Sequence, residues 1–173
     1  ALMDAVGISI SYTSGKHMAD HTMTLSAQRF RDDFFSEELR RNEYLSSTCM
    51  QAMQNVEKEV LYFPVPESDV DKSLKVSFAD TWHMERNYGG KRVHEGTDIM
   101  VAENKRGLYP VVSVSDGTVK NKGWLERGGW RLGITSDSGA YYYYAHLDSY
   151  SNLKIGDRVR AGELLGYMGD SGY

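Results

Sequence analysis

The stretch Arg92-Val93-His94-Glu95-Gly96-Thr97-Asp98-Ile99 sets an imidazole and a carboxylate four residues apart, with a glycine midway between them. Along an extended strand side chains alternate faces, so positions 94, 96 and 98 point the same way. Gly96 then leaves a notch between two metal-binding groups. A divalent ion such as Zn²⁺ takes nitrogen and carboxylate oxygen at about 2 Å. On a helix the same spacing also shares a face, but Gly96, Thr97 and Ile99-Met100-Val101 favour a strand. Taken alone, a histidine and an aspartate at this spacing are equally well a hydrogen-bonded surface pair.

Downstream come Asp116-Gly117-Thr118-Val119, then Tyr143-Tyr144-Ala145-His146-Leu147, then the run from Leu153 to Gly166 that includes Gly156-Asp157-Arg158-Val159. In this order the motifs resemble the lysostaphin- and LytM-like peptidases of family M23, zinc endopeptidases that cut peptide bonds in bacterial cell walls. The resemblance covers residues 74–173. It implies that His94 and Asp98 bind Zn²⁺ and that His146 stands beside the metal as a catalytic histidine. The family completes its site with a His-x-His pair near the C-terminus, whose last histidine is the third protein ligand. Here the sequence reaches Gly169-Asp170-Ser171-Gly172-Tyr173, and no histidine follows His146. The expectation is therefore an incomplete ligand set, with the third ligand coming from beyond Tyr173 or from another residue.

Alternation along Tyr141 to His146 places His146 on the face of Tyr142 and Tyr144. In a peptidase its imidazole would handle a proton or hydrogen-bond the tetrahedral intermediate. The alternative is a strand-end histidine satisfied by backbone. Tyr144 on the same face is expected to meet substrate. Tyr88, six residues before His94, is a candidate oxyanion donor, since related enzymes have a tyrosine in the loop before the first ligand. Asp148 could orient His146, and His83 reads as a surface or packing residue. The Gly156-Asp157-Arg158-Val159 run also resembles biotinyl and lipoyl carrier domains, but no Met-Lys-Met-like tip precedes it.

The 173 residues suffice for one core plus a helical appendage. A net charge of −4 without a basic run excludes a nucleic-acid partner. No apolar run approaches the roughly 20 residues of a membrane span. The single Cys49 excludes an internal disulfide, and its helical spacing with Leu45 and Met53 suits a buried thiol. The opening Ala1 to Val6 has neither the charged nor the apolar region of a signal peptide, and no initiator methionine stands before it. The expectation is an excised fragment whose export signal or membrane anchor lies upstream. Twelve tyrosines suit strands, and also surfaces that meet sugars or extended peptides. Nothing in the sequence sets an oligomeric state.

Residues 1–24 read as a polar tail, in which His17 and His21 are solvated in preference to clamping a metal. From Ser26 to Val60 the apolar spacing is helical, with Ser47 capping a second helix and Leu45, Cys49, Met53, Val56 and Val60 forming one stripe. Phe63-Pro64-Val65-Pro66 ends it. Beyond lie short strands punctuated by Asp116-Gly117, Gly128-Gly129 and Ser138-Gly139, with Val111, Val112, Val114 and Val119 as core. The expected fold is α+β: an N-terminal tail and helical segment (1–63), a linker (64–73) and a mostly antiparallel β-sheet M23-like domain (74–173). The implied function is zinc-dependent hydrolysis of peptide cross-links in peptidoglycan, at the extracellular face or surface of a bacterial cell. The rival is a degenerate M23-like domain that binds wall peptide or a partner protein without cutting.

Overall fold

The computed structural model describes residues 47–172 apart from Tyr88, Gly89 and Asn104. The expected helical stripe before residue 47, the His17/His21 pair, the Cys49 side chain and Tyr88 lie outside the described residues. Helix α1 (Ser47–Glu59) buries Met53 and Val56. Lys58 in its last turn complements the helix dipole. The Tyr142 hydroxyl donates to Glu59 Oε1 at 2.5 Å, tying the helix end to the sheet.

After the helix the chain runs along the sheet rather than away from it. Leu61 N donates to Val114 O and Pro64 O accepts from Val112 N, both at 2.8 Å, and Val65 enters the core. Prolines suit this edge position, because a residue without an N–H loses nothing where only its carbonyl is paired.

Ten strands follow: β1 (Val76–Phe78), β2 (Glu85–Arg86), β3 (Arg92–Val93), β4 (Ile99–Val101), β5 (Pro110–Val112), β6 (Gly117–Leu125), β7 (Gly129–Thr135), β8 (Tyr141–Tyr150), β9 (Arg158–Val159) and β10 (Leu164–Met168). All pairings are antiparallel. β5 to β10 form one sheet in the order β5-β10-β8-β7-β6-β9, while β1 pairs with β4 and β2 with β3 in two small ladders.

One face of the large sheet is the core, where Val111, Val114, Val119, Leu132, Ile134, Tyr142, Tyr144, Leu147, Val159 and Leu165 are buried. The four valines expected there are all buried. Gly128-Gly129 and Ser138-Gly139 turn β6 into β7 and β7 into β8 as expected. Asp116-Gly117 does not make a hairpin: β5 lies at one edge of the sheet, separated from β6 by three strands. The Asp116 carboxylate instead accepts from Ala161 N at 2.7 Å, pinning the β9–β10 connection.

Two irregularities in β8 decide where the site lies. Leu132 faces Tyr144 and Trp130 faces Leu147, so two steps on β7 span three on β8. A bulge therefore sits at Ala145–His146. Burial confirms the phase change, since Tyr142 and Tyr144 are buried, then Leu147, while His146 is only half-buried. His146 takes φ 59°, the left-handed region that non-glycine residues enter at a cost of about 1–3 kcal/mol.

Candidate active site

The His94–Asp98 connection is not the strand expected from sequence: β3 ends at Val93 and β4 starts at Ile99. Two ladders fix its ends. β2 holds Val93 opposite Glu85, and β1 holds Ile99 opposite Phe78. Between them Thr81 fastens the loop from one side. Its hydroxyl accepts from Asp98 N at 3.3 Å and lies 3.0 Å from His94 Nδ1, and its carbonyl lies 3.2 Å from the same nitrogen. His94 N also donates to Met84 O, and His83 N to His94 O.

The outcome is the convergence that the strand argument anticipated, reached by a different route. His94 Nε2 and Asp98 Oδ1 stand 3.4 Å apart. Two donors bound tetrahedrally at about 2.0–2.2 Å are separated by about 3.3–3.6 Å, so these atoms are spaced as neighbouring ligands of one ion. Nδ1 faces the Thr81 carbonyl, which can only accept, and the Arg86 guanidinium, which can only donate, and the tautomer that donates to Thr81 O leaves the lone pair on Nε2. That is the form a metal ligand needs. Burial of the imidazole lowers the His94 pKa, the Asp98 carboxylate opposes this, and the Arg86 guanidinium adds to it. The ring is thus held neutral near neutral pH.

Behind the pair lies Arg86, which the sequence reading did not single out. Its Nη2 donates to Asp98 Oδ2 at 2.5 Å and lies 3.0 Å from His94 Nδ1. Among the described residues no third histidine, cysteine, aspartate or glutamate joins His94 and Asp98.

His146 has its own supports. Its N–H donates to Gly128 O, and its Nδ1 lies 2.7 Å from Ser171 O. A carbonyl only accepts, so Nδ1 carries the hydrogen and the neutral ring keeps its lone pair on Nε2. Ser171 is itself fixed, its hydroxyl donating to Leu147 O at 2.6 Å and accepting from Trp130 N at 3.0 Å. Gly129 makes this possible: a Cβ there would stand 2.2 Å from Ser171 O, and its φ of 59° suits glycine.

Two expectations need correction. Tyr144 does not present a hydroxyl to substrate: it is fully buried, and its hydroxyl accepts from Val114 N at 3.0 Å. The bulge separates it from His146, so the shared face inferred from alternation does not exist. Asp148 is exposed and does not orient His146, a task that falls to the Ser171 carbonyl. His83 is exposed, in accord with a surface role. Exposed Trp124 and Trp130 pack edge to face with centroids 5.2 Å apart, and Trp130 adjoins the Ser171 support of His146.

The model of peptidase family M23 matches residues 92–173, and this region of the chain belongs to that family. Among curated relatives, the chain is similar to an L-Ala--D-Glu endopeptidase of Bacillus subtilis, with 44% identity over 98 residues. It is also similar to the glycyl-glycine endopeptidase ALE-1 of Staphylococcus capitis, with 39% identity over 66 residues. These matches cover 56% and 37% of this chain, but only 29% and 18% of the relatives. Among solved structures, the LytM protein of Ruminococcus gnavus superposes with a TM-score of 0.67 at 52% identity, over 87% of this chain and 59% of that one.

Proposed function

We propose that the chain carries the catalytic domain of a zinc-dependent endopeptidase that hydrolyses peptide cross-links of bacterial peptidoglycan, acting outside the cell or at its surface. The observation that carries this reading is the 3.4 Å approach of His94 Nε2 to Asp98 Oδ1. The names of the relatives, endopeptidases for L-Ala–D-Glu and glycyl-glycine bonds, support this substrate class.

His94 and Asp98 would hold Zn²⁺, with a third ligand supplied from outside the described residues. When bound, the ion supplies a Lewis acid that polarises the scissile carbonyl and activates water. The protein does the rest. Thr81 braces the His94 ring at Nδ1, and Asp98 turns one oxygen toward its Nε2. His146 offers Nε2, backed by the Ser171 carbonyl, to take a proton or, once protonated, to donate a hydrogen bond to an oxygen gaining negative charge. Rigid backing of both histidines keeps these groups aimed without reorganisation during reaction.

The absence of a third donor among the described residues is what a non-cutting binding domain would also show. Incubation of the full-length protein with purified peptidoglycan and zinc separates the two readings. The peptidase reading expects new peptide termini, identified by mass spectrometry and abolished by a chelator. Retention on peptidoglycan without any new terminus would establish the binder instead.

A further inference from the structure

Arg86 contacts both candidate ligands, and it does so through the atoms that face away from their point of convergence. Nη2 donates to Asp98 Oδ2 at 2.5 Å and lies 3.0 Å from His94 Nδ1, whereas the converging atoms are Oδ1 and Nε2. The guanidinium bridges the two ligands through the atoms that do not converge. We propose that Arg86 is a positioning residue for the metal ligands, engaging one carboxylate oxygen of Asp98 so that the other alone is aimed at the ion. This inference rests on the zinc reading of the same site.

Chemistry and placement both favour the assignment. A free carboxylate rotates about its Cα–Cβ and Cβ–Cγ bonds and can turn either oxygen, or both, toward a cation. A charge-assisted hydrogen bond from a planar guanidinium fixes that rotation more firmly than a mobile ammonium does. The Arg86 side chain is about one-third exposed, so water competes only in part for its donors.

Its backbone is equally committed. Arg86 ends β2, facing Arg92 on β3, and β3 runs directly into His94. One two-stranded ladder thus carries the positioning residue on one strand and leads into the first ligand on the other. The register of that ladder sets both the His94 backbone and the Asp98 carboxylate. Arg92 cannot substitute, since its guanidinium makes no hydrogen bond to either ligand and its Nε is buried without a partner.

The guanidinium also brings a positive charge close to a bound cation, and by charge alone it would weaken metal binding. Positioning and repulsion therefore predict opposite signs, and zinc affinity decides between them. Zinc dissociation constants would be measured by competition with a chromophoric chelator on full-length wild-type, R86M and R86K proteins. Melting temperatures of the metal-free forms would be read alongside. The expected result is zinc binding weakened about 10–100-fold in both variants, the usual cost of losing a partner that orients a ligand. R86K should not rescue, because charge without the planar fork is not enough, and the metal-free melting temperatures should agree with wild type. An R86M protein that binds zinc as tightly as wild type, or more tightly, overturns the positioning role and leaves the zinc reading intact. Parallel loss of zinc affinity and metal-free stability also overturns it, showing that Arg86 merely holds the fold. Wild-type protein that takes no zinc defeats both.

Discussion

Alanine at His94 or at Asp98 is expected to abolish stoichiometric zinc binding and peptide hydrolysis together in the full-length protein. Each substitution removes a donor outright. Its cost should exceed the roughly 10–100-fold penalty of losing a partner that only backs a ligand. Asp98→Asn is the sharper version, because the amide keeps nearly the carboxylate's shape and can still accept from Arg86 through its oxygen. It loses the negative charge that a divalent ion requires, so zinc should be lost while the fold is kept. Metal content after dialysis against dilute zinc, with the melting temperature as control, checks both variants. Retention of one zinc per chain in folded Asp98→Asn would remove this carboxylate from the ligand set.

His146→Asn should behave differently, losing turnover while keeping zinc. The loss expected for removing a positioned proton-transfer group is about 10²–10⁴-fold in kcat. Asparagine is the informative choice because His146 occupies φ 59°, a region asparagine tolerates better than most residues. Alanine there would mix backbone strain with lost chemistry. Zinc titration beside steady-state kinetics separates the outcomes. Near-normal kcat would make His146 a strand-end residue satisfied by Ser171, and lost zinc would make it a ligand instead of a proton-handling group.

Much of the scaffold was legible in the residue pattern, for physical reasons. Val111, Val114 and Val119 alternate or cluster as a half-buried sheet requires, and the glycine pairs at 128–129 and 138–139 turn the chain where the backbone must reverse. The approach of His94 to Asp98 was legible as well, although its cause was not. The two are held by Thr81 and Arg86, respectively 13 and 8 residues before His94, and such contacts leave no periodic trace in a sequence. The β2–β3 ladder has two residues per strand, too short for alternation to register.

The same limit explains the error at Tyr144. Alternation assumes an unbroken register, and the bulge at Ala145–His146 shifts the phase by one residue. Tyr144 keeps the core phase and His146 leaves it. A histidine at positive φ, braced by a serine carbonyl 25 residues later, arises from sheet pairing and from the fold of the Gly169–Gly172 segment over Gly129. Neither is encoded in the spacing of Tyr141 to His146.

The proposed zinc site requires one ion where His94 Nε2 and Asp98 Oδ1 converge. Anomalous diffraction at the zinc absorption edge, from crystals of the full-length protein grown with zinc, locates that ion directly. The expected result is a single strong peak about 2 Å from both atoms, on the side away from Arg86. An occupied zinc site elsewhere, or none at these two side chains, would contradict it.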